Sequence, residues 1–543
     1  MTTSRTLLAA AFLALAPLAA RAIPVNYPHD GSCGISQFRV AEGFANATPS
    51  GAVLNFIPRV DMDVRVSYGP SPGGPWTTMT ATTGTAETMK EITVPASEGA
   101  HVWVRLECKA SGTSVWGERP LAHFQARYAS TTDASWTDIM TADPHGLPRW
   151  IDTEDRNCGT VKQENSDEST RTYGKIAARR PMNWFELGDQ AHTHCLAPAC
   201  DQVCSLPGFS ADLDTGSTAS ADTLAEALPR QYLTLEFVSA ARRQTNYERK
   251  AGNHEGRLFG MGITAPAISC QHNDAIGQAA EDSWLATTPN PNDVWPHGVD
   301  GDRGHFWHER NGQASYIFLD EYVYACESPA SCAVNGLPDS PDDWTLGATQ
   351  RAWLSSLDTE TGDVIVVMMH HPPASCNSET CYLYGRWGPG AREGFLQSGD
   401  FNGDLQFMVD WAAARVLEGK TVLFVFGHDH HFVYGGTYQG VHFFVLGMPG
   451  NNTTNWVVSD AEYRDCWDTD GDGTPEYEDP SSPLYAPQPG DADFGGYATL
   501  DFSSSAPGTV MLTWCGTTTD EATDDLCRFR YTMTGSAITI ERP

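Results

Sequence analysis

The sequence predicts an α/β domain preceded by an all-β sandwich, on three observations. From about residue 36 to 128, apolar and polar residues alternate in short stretches. Val64, Val66 and Tyr68 form one such stretch, and Val102, Val104, Leu106 and Cys108 another, with turn-rich segments such as Gly69-Pro70-Ser71-Pro72-Gly73-Gly74 between them. From about residue 129 the pattern changes to three continuous apolar runs, Trp184 to Leu187, Val364 to Met369 and Val422 to Phe426. Each run ends abruptly in polar residues, as buried strands of an α/β sheet do where their loops carry a site. The length, 543 residues, also exceeds what a single hydrophobic core holds.

In chain order, residues 1–22 read as a secretory signal peptide. Arg5 supplies a short basic start, Leu7 to Ala19 an apolar core, and Ala20-Arg21-Ala22 a small-x-small cleavage site. Pro17 interrupts the apolar run, which is short for a bilayer span, and no later segment is apolar for long enough. A secreted or periplasmic protein with no membrane span in the mature chain is expected. Residues 23–128 make up the sandwich, and residues 129–543 the α/β domain. Within the latter, Leu405, Met408, Val409, Ala412 and Val416 recur at helical spacing between the second and third apolar runs. Thr137-Asp138-Ile139-Met140-Thr141-Ala142 makes a poor strand pattern. A β-rich tail, including Tyr497 to Phe502 and Thr509 to Trp514, is expected to complete the second sheet of this domain.

The 14 cysteines all follow the leader, and an even number in an exported chain suggests disulfides, seven at most. Cys326/Cys332 and Cys376/Cys381 are spaced as loop staples. His192, His194, Cys195, Cys200 and Cys204 could make a structural zinc site, but an oxidising compartment favours disulfides for those cysteines. The formal charge of −34 becomes −36 once a leader carrying Arg5 and Arg21 and no acid is removed. Such a field repels nucleic acid and anionic membranes, so no nucleic acid partner is expected. A small anionic substrate would need a local positive charge, which bound divalent metals supply.

Five polar clusters occur in order: Asp143-Pro144-His145, Gly188-Asp189, Gly252-Asn253-His254-Glu255, His370-His371-Pro372 and Gly427-His428-Asp429-His430. Carboxylates and imidazoles with few thiolates suit borderline-hard divalent cations. The glycines before Asp189, Asn253 and His428 let the chain turn sharply off a strand. In residue type and order, the clusters over residues 135 to 435 resemble the D-x-H, G-D, G-N-H-E, H and G-H-x-H signature of the calcineurin-like metallophosphoesterase superfamily. The resemblance implies a four-layer β-sandwich flanked by helices. It also implies a phosphatase or phosphodiesterase that hydrolyses small phosphate monoesters or diesters by a metal-activated water.

By that resemblance Asp143, His145 and His430 would hold one metal and Asn253, His370 and His428 the other, with Asp189 bridging. His371 is the alternative ligand in its doublet, and the spacing to Pro372 favours His370. His254 would protonate the leaving oxygen or stabilise the transition state by a charge-assisted hydrogen bond, and Glu255 would orient it. The same N/O ligand set accepts manganese, iron or zinc. The sandwich resembles the fibronectin-type-III-like domain that precedes the catalytic domain of purple acid phosphatases. Those enzymes place a Tyr three residues after the bridging Asp; here that position is His192, which argues against a Tyr–iron(III) centre. Tyr173-Gly174-Lys175-Ile176-Ala177-Ala178, leading to Gly188-Asp189-Gln190, is similar to D-type alkaline phosphatases.

A second metal signal lies in an insertion at about residues 466–480. Asp468, Asp470, Asp472, Thr474 and Glu476 alternate around Gly473 and Gly471, with Asp479 at the twelfth position. This resembles an EF-hand-like loop for structural Ca2+, without the following helix, since Pro480 and Pro483 come next. The alternative reading of the whole chain is a secreted calcium-dependent binding or structural protein carrying an inactive phosphoesterase domain. The filled set of ligand positions favours the enzyme.

Overall fold

The computed structural model describes residues 33–34, 37–130, 133–144, 163–188, 190, 228, 231–232, 234–235, 238–252, 283–288, 306–320, 346–357, 361–370, 401–427, 432–446, 495–517 and 527–541. Three sheets organise these residues, and two of them carry the motif segments. The first has ten strands in the order Ala537–Glu541, Cys527–Thr534, Thr509–Thr517, Gly495–Phe502, Trp136–Thr141, Asn183–Leu187, Asn246–Lys250, Phe38–Thr48, Gly51–Pro58 and Lys90–Pro95. The second has six, in the order Trp307–Asn311, Ala314–Phe318, Val364–Met368, Thr421–Phe426, Val441–Val445 and Val433–Tyr438. Trp136–Thr141, Asn183–Leu187 and Asn246–Lys250 run parallel in the first sheet. Ala314–Phe318, Val364–Met368, Thr421–Phe426 and Val441–Val445 run parallel in the second.

The apolar runs are continuous because both faces of their strands are covered. Phe185, Leu187, Val364, Val366, Met368, Leu423 and Val425 fill the space between the two sheets. Ile365, Val367, Met369, Val422, Phe424 and Phe426 point the other way, onto Leu354 of helix Gly347–Ser356 and onto Met408, Val409 and Ala412 of helix Phe401–Leu417. On the outer face of the first sheet, Ile139, Trp184 and Tyr247 pack against Tyr173 and Ile176 of helix Gln163–Arg179 and against Val238 and Ala241. Side chains alternate along each strand, so both layers of helices find an apolar surface. The result is the expected four-layer β-sandwich flanked by helices.

Trp136–Thr141 departs from its poor strand pattern and sits near the centre of the first sheet. Its buried Asp138 is carried by hydrogen bonds. It accepts from the Asn183 amide side chain at 2.7 Å, from the Asn183 backbone N–H at 3.1 Å, from Trp136 Nε1 at 3.0 Å and from the Tyr316 hydroxyl. A buried carboxylate with several donors is tolerated where an unpaired one is not. The tail joins this same sheet beside Trp136–Thr141, putting Ala498, Leu500, Val510, Leu512 and Trp514 into the space between the sheets.

The N-terminal residues form two facing sheets. Phe38–Thr48, Gly51–Pro58 and Lys90–Pro95 extend the ten-stranded sheet, with Phe44 paired to Asn246. Met62–Gly69 and His101–Ala110 centre a third sheet, and the expected alternation holds, with Val102, Val104, Leu106 and Cys108 buried. Leu54, Phe56, Val64, Val66, Leu106 and Phe124 share one core. A Cys33–Cys108 disulfide closes it, and Cys515–Cys527 joins two tail strands. The cysteine pairs singled out in sequence, Cys326/Cys332 and Cys376/Cys381, lie outside the described residues. Among the described residues no helix is long and apolar enough to cross a membrane.

Candidate metal centre

Because the motif strands within each sheet are parallel, their carboxyl ends emerge together. Thr141 pairs with Glu186, and Leu187 with Lys250, so Asp143, Gly188 and Gly252 follow at the same level of the first sheet. Met368 pairs with Val425 in the second, so His370 and Gly427 follow there. The described parts of all five sequence clusters therefore converge on one edge.

Backbone hydrogen bonds fasten them. Asp143 N–H donates to the Gly188 carbonyl at 3.1 Å, and Gly427 N–H donates to the His370 carbonyl at 2.9 Å. Across the sheets, His370 Nδ1 donates to the Leu187 carbonyl at 2.6 Å. A carbonyl oxygen only accepts, so a proton sits on Nδ1, and in the neutral form of the ring the lone pair is on Nε2. Nε2 lies 3.8 Å from Asp143 Oδ1, and both side chains are completely buried. Asp143 itself takes a left-handed backbone, φ 53°, which an Asp adopts at modest cost.

Two glycines keep the cluster tight. Gly188 has φ 96°, and a methyl there would fall on His370 Nδ1 and within 2.7 Å of Gly252 Cα. A methyl on Gly427 would lie 2.9 Å from Ala142 Cβ and 3.0 Å from both Asp143 Oδ2 and the Leu187 carbonyl oxygen. Only hydrogen fits at either place.

The described donors fit a divalent cation. A buried carboxylate and an imidazole whose outer nitrogen is oriented by a backbone carbonyl are the usual first and outer partners of such an ion. Among the described residues no group of three or more His, Cys, Asp and Glu gathers. His145, Asp189, Asn253, His254, Glu255, His371, His428 and His430 lie outside the described residues, as do the calcium loop from Asp468 to Asp479 and the cluster from His192 to Cys204.

One residue back from Leu187, Glu186 faces the helix layer instead. It accepts from the Tyr247 hydroxyl and, at 3.4 Å, from the Tyr173 hydroxyl. Burial pushes its pKa up from 4.5 to about 7, with the hydrogen bonds and Arg249 opposing. Sequence reading also missed Gln190, Lys250 and Asp320, all buried at this edge. The signal for the last two was a charged residue placed at or just beyond the end of a strand leading into the site.

No family model matches the sequence, and no curated relative does. Solved structures do match in fold. The chain is similar to PhoD over 95% of its length and 93% of that chain, at 14% identity and a TM-score of 0.60. It is similar to the purple acid phosphatase PPD1 from yellow lupin (Lupinus luteus) seeds over 91% of its length and 74% of that chain, at 13% identity and a TM-score of 0.52. The chain has the calcineurin-like metallophosphoesterase fold. Within that class its fold is shared with both a PhoD structure and a purple acid phosphatase.

Proposed function

We propose that the chain is an exported two-metal phosphoesterase acting on small phosphate monoesters or diesters. The observation that carries this reading is the buried meeting of Asp143 and His370, with Nε2 3.8 Å from Oδ1, at the edge where all five motif segments converge. Asp143, His145 and His430 are the proposed ligands of one ion, Asn253, His370 and His428 those of the other, and Asp189 is shared. Manganese, iron or zinc, when bound there, supplies Lewis acidity that activates water and neutralises charge on the phosphoryl oxygens. The Leu187 carbonyl fixes His370 in the tautomer that presents Nε2. His254 donates a proton to the leaving oxygen, and Glu255 orients its ring. The N-terminal unit is read as fibronectin-III-like and the Asp468–Asp479 loop as a structural calcium site. Export is supported by two disulfides among the described residues, since such bonds persist in oxidising compartments.

The test is hydrolysis of nitrophenyl phosphate and bis-nitrophenyl phosphate by the mature protein, as isolated, after chelation, and after manganese, zinc or iron is restored. Turnover that disappears with chelation and returns with metal is expected, and Asp189→Ala should lose nearly all of it. A protein that binds no metal and hydrolyses neither ester would overturn the proposal in favour of a binding role.

A further inference from the structure

The ligand pattern leaves out a set of buried polar side chains that ties its loops together. Lys250 ends the strand Asn246–Lys250 and is completely buried. Its Nζ lies 3.3 Å from Asp320 Oδ1 and donates to the Ala251 carbonyl at 3.2 Å. Asp320 belongs to the other sheet, just beyond Ala314–Phe318, the parallel neighbour of the strand leading to His370. Gln350 of helix Gly347–Ser356 brackets it: Oε1 accepts from Asp320 N–H and Nε2 donates to the Asp320 carbonyl, each at 2.7 Å. On the opposite side, Gln190 Nε2 donates to the Lys250 carbonyl at 2.7 Å, and the Gln190 carbonyl accepts from Thr234 Oγ1 at 3.2 Å. The chain of bonds thus begins one residue after Asp189, passes the residues just before Asn253, and ends in the sheet that carries His370.

A buried ion pair is a poor way to gain stability, because removing both charges from water costs about as much as their attraction returns. Apolar side chains of the same volume would hold the two sheets together as well. What they cannot do is fix a distance and a direction between one turn and another. We infer that the Lys250–Asp320 pair, clasped by Gln190, is a positioning device for the metal centre, setting the spacing of Gln190 and Gly252, the sequence neighbours of Asp189 and Asn253, against the His370 strand. The inference rests on the phosphoesterase reading and names the residues that hold its site in shape.

The test uses the full mature chain, with manganese as the probe. Metal affinity is measured by chelator competition, beside the melting temperature of the metal-stripped protein. In the double variant Lys250→Met with Asp320→Leu both charges of the pair are replaced by apolar side chains of similar size, and Gln190→Met removes the clasp independently. Both should melt near wild type when metal-free yet bind manganese about ten- to a hundredfold more weakly, as when a partner behind a metal ligand is lost. Unchanged affinity beside a two-metal wild type overturns the positioning role, as does a lowered metal-free melting temperature with affinity intact. If the double variant fails to fold, Gln190→Met alone decides by the same criteria. A wild type that binds no metal overturns the phosphoesterase reading and this inference with it.

Discussion

His370 and Glu186 show how far neighbouring positions diverge when they face different layers. The Leu187 carbonyl holds Nδ1 of His370 while Nε2 lies 3.8 Å from Asp143, whereas Glu186, one residue before Leu187, is held among tyrosines with its pKa near 7. Below about pH 7 the folded protein keeps a proton on Glu186 that the unfolded chain releases above about 4.5. The stability this contributes is complete below about 4.5 and is lost as pH rises through about 7. Glu186→Gln mimics the protonated form, so its melting temperature relative to wild type should climb between those values and level off above them. A pH-independent difference would assign the protonated state elsewhere. Of the residues at the site, Asp143 and His370 were legible because they sit in recognisable clusters. Gln190, Lys250 and Asp320 were not, because their roles depend on partners far away in the chain.

Among elements, the strands buried on both faces by apolar side chains were the legible ones. Asn183–Leu187, Val364–Met368 and Thr421–Phe426 match their runs almost to the residue, and helix Phe401–Leu417 buries Met408, Val409 and Ala412 as the spacing implied. Trp136–Thr141 and Asn246–Lys250 escaped because they bury polar side chains satisfied from other strands. Asn-Tyr-Glu-Arg-Lys is buried throughout. In it, Asn246 donates to Asn183 Oδ1 at 2.9 Å, and Glu248 accepts from the Asn46 backbone at 2.6 Å. The N-terminal strands are therefore built into the sheet that carries Asp143, Gly188 and Gly252 of the candidate site. Arg127, completely buried, donates to Asn183 Oδ1 at 2.9 Å and lies 2.6 Å from Glu309, while Glu42 lies within 2.9 Å of both Arg119 and Arg243. Removing residues 1–128 strips these partners from Glu309, Glu248 and Arg243 and bares an edge of Asn246–Lys250. The expected outcome is insoluble protein without a cooperative melt. A soluble, folded 129–543 fragment would show the seam to be dispensable.

At the scale of the whole molecule, a net charge of −34 confines attraction for an anionic ester to the places where cations sit. A loop with six acids among residues 468 to 479 adds to that repulsion unless it is neutralised. Calcium at about a hundred times its dissociation constant should stabilise the fold by about 2.7 kcal/mol, read as a rise in melting temperature without a matching rise in turnover. Replacing Asp468 and Asp470 by Ala should abolish the rise. A melting temperature indifferent to calcium in the wild type would leave the loop as solvated acid.

The ten-stranded sheet also dictates a schedule. Trp136–Thr141, near its centre, takes one neighbour from residues 183–187 and the other from residues 495–502, and Phe44 waits for Asn246. On a ribosome that delivers about 5 to 20 residues per second, the central strand stands open along one side until residues 495–502 have emerged. Closing so long a gap is slow, and the exposed edge meanwhile invites mispairing. The central strand of such a sheet gains its second neighbour only when residues 495–502 arrive, and until then its open side is exposed to wrong partners.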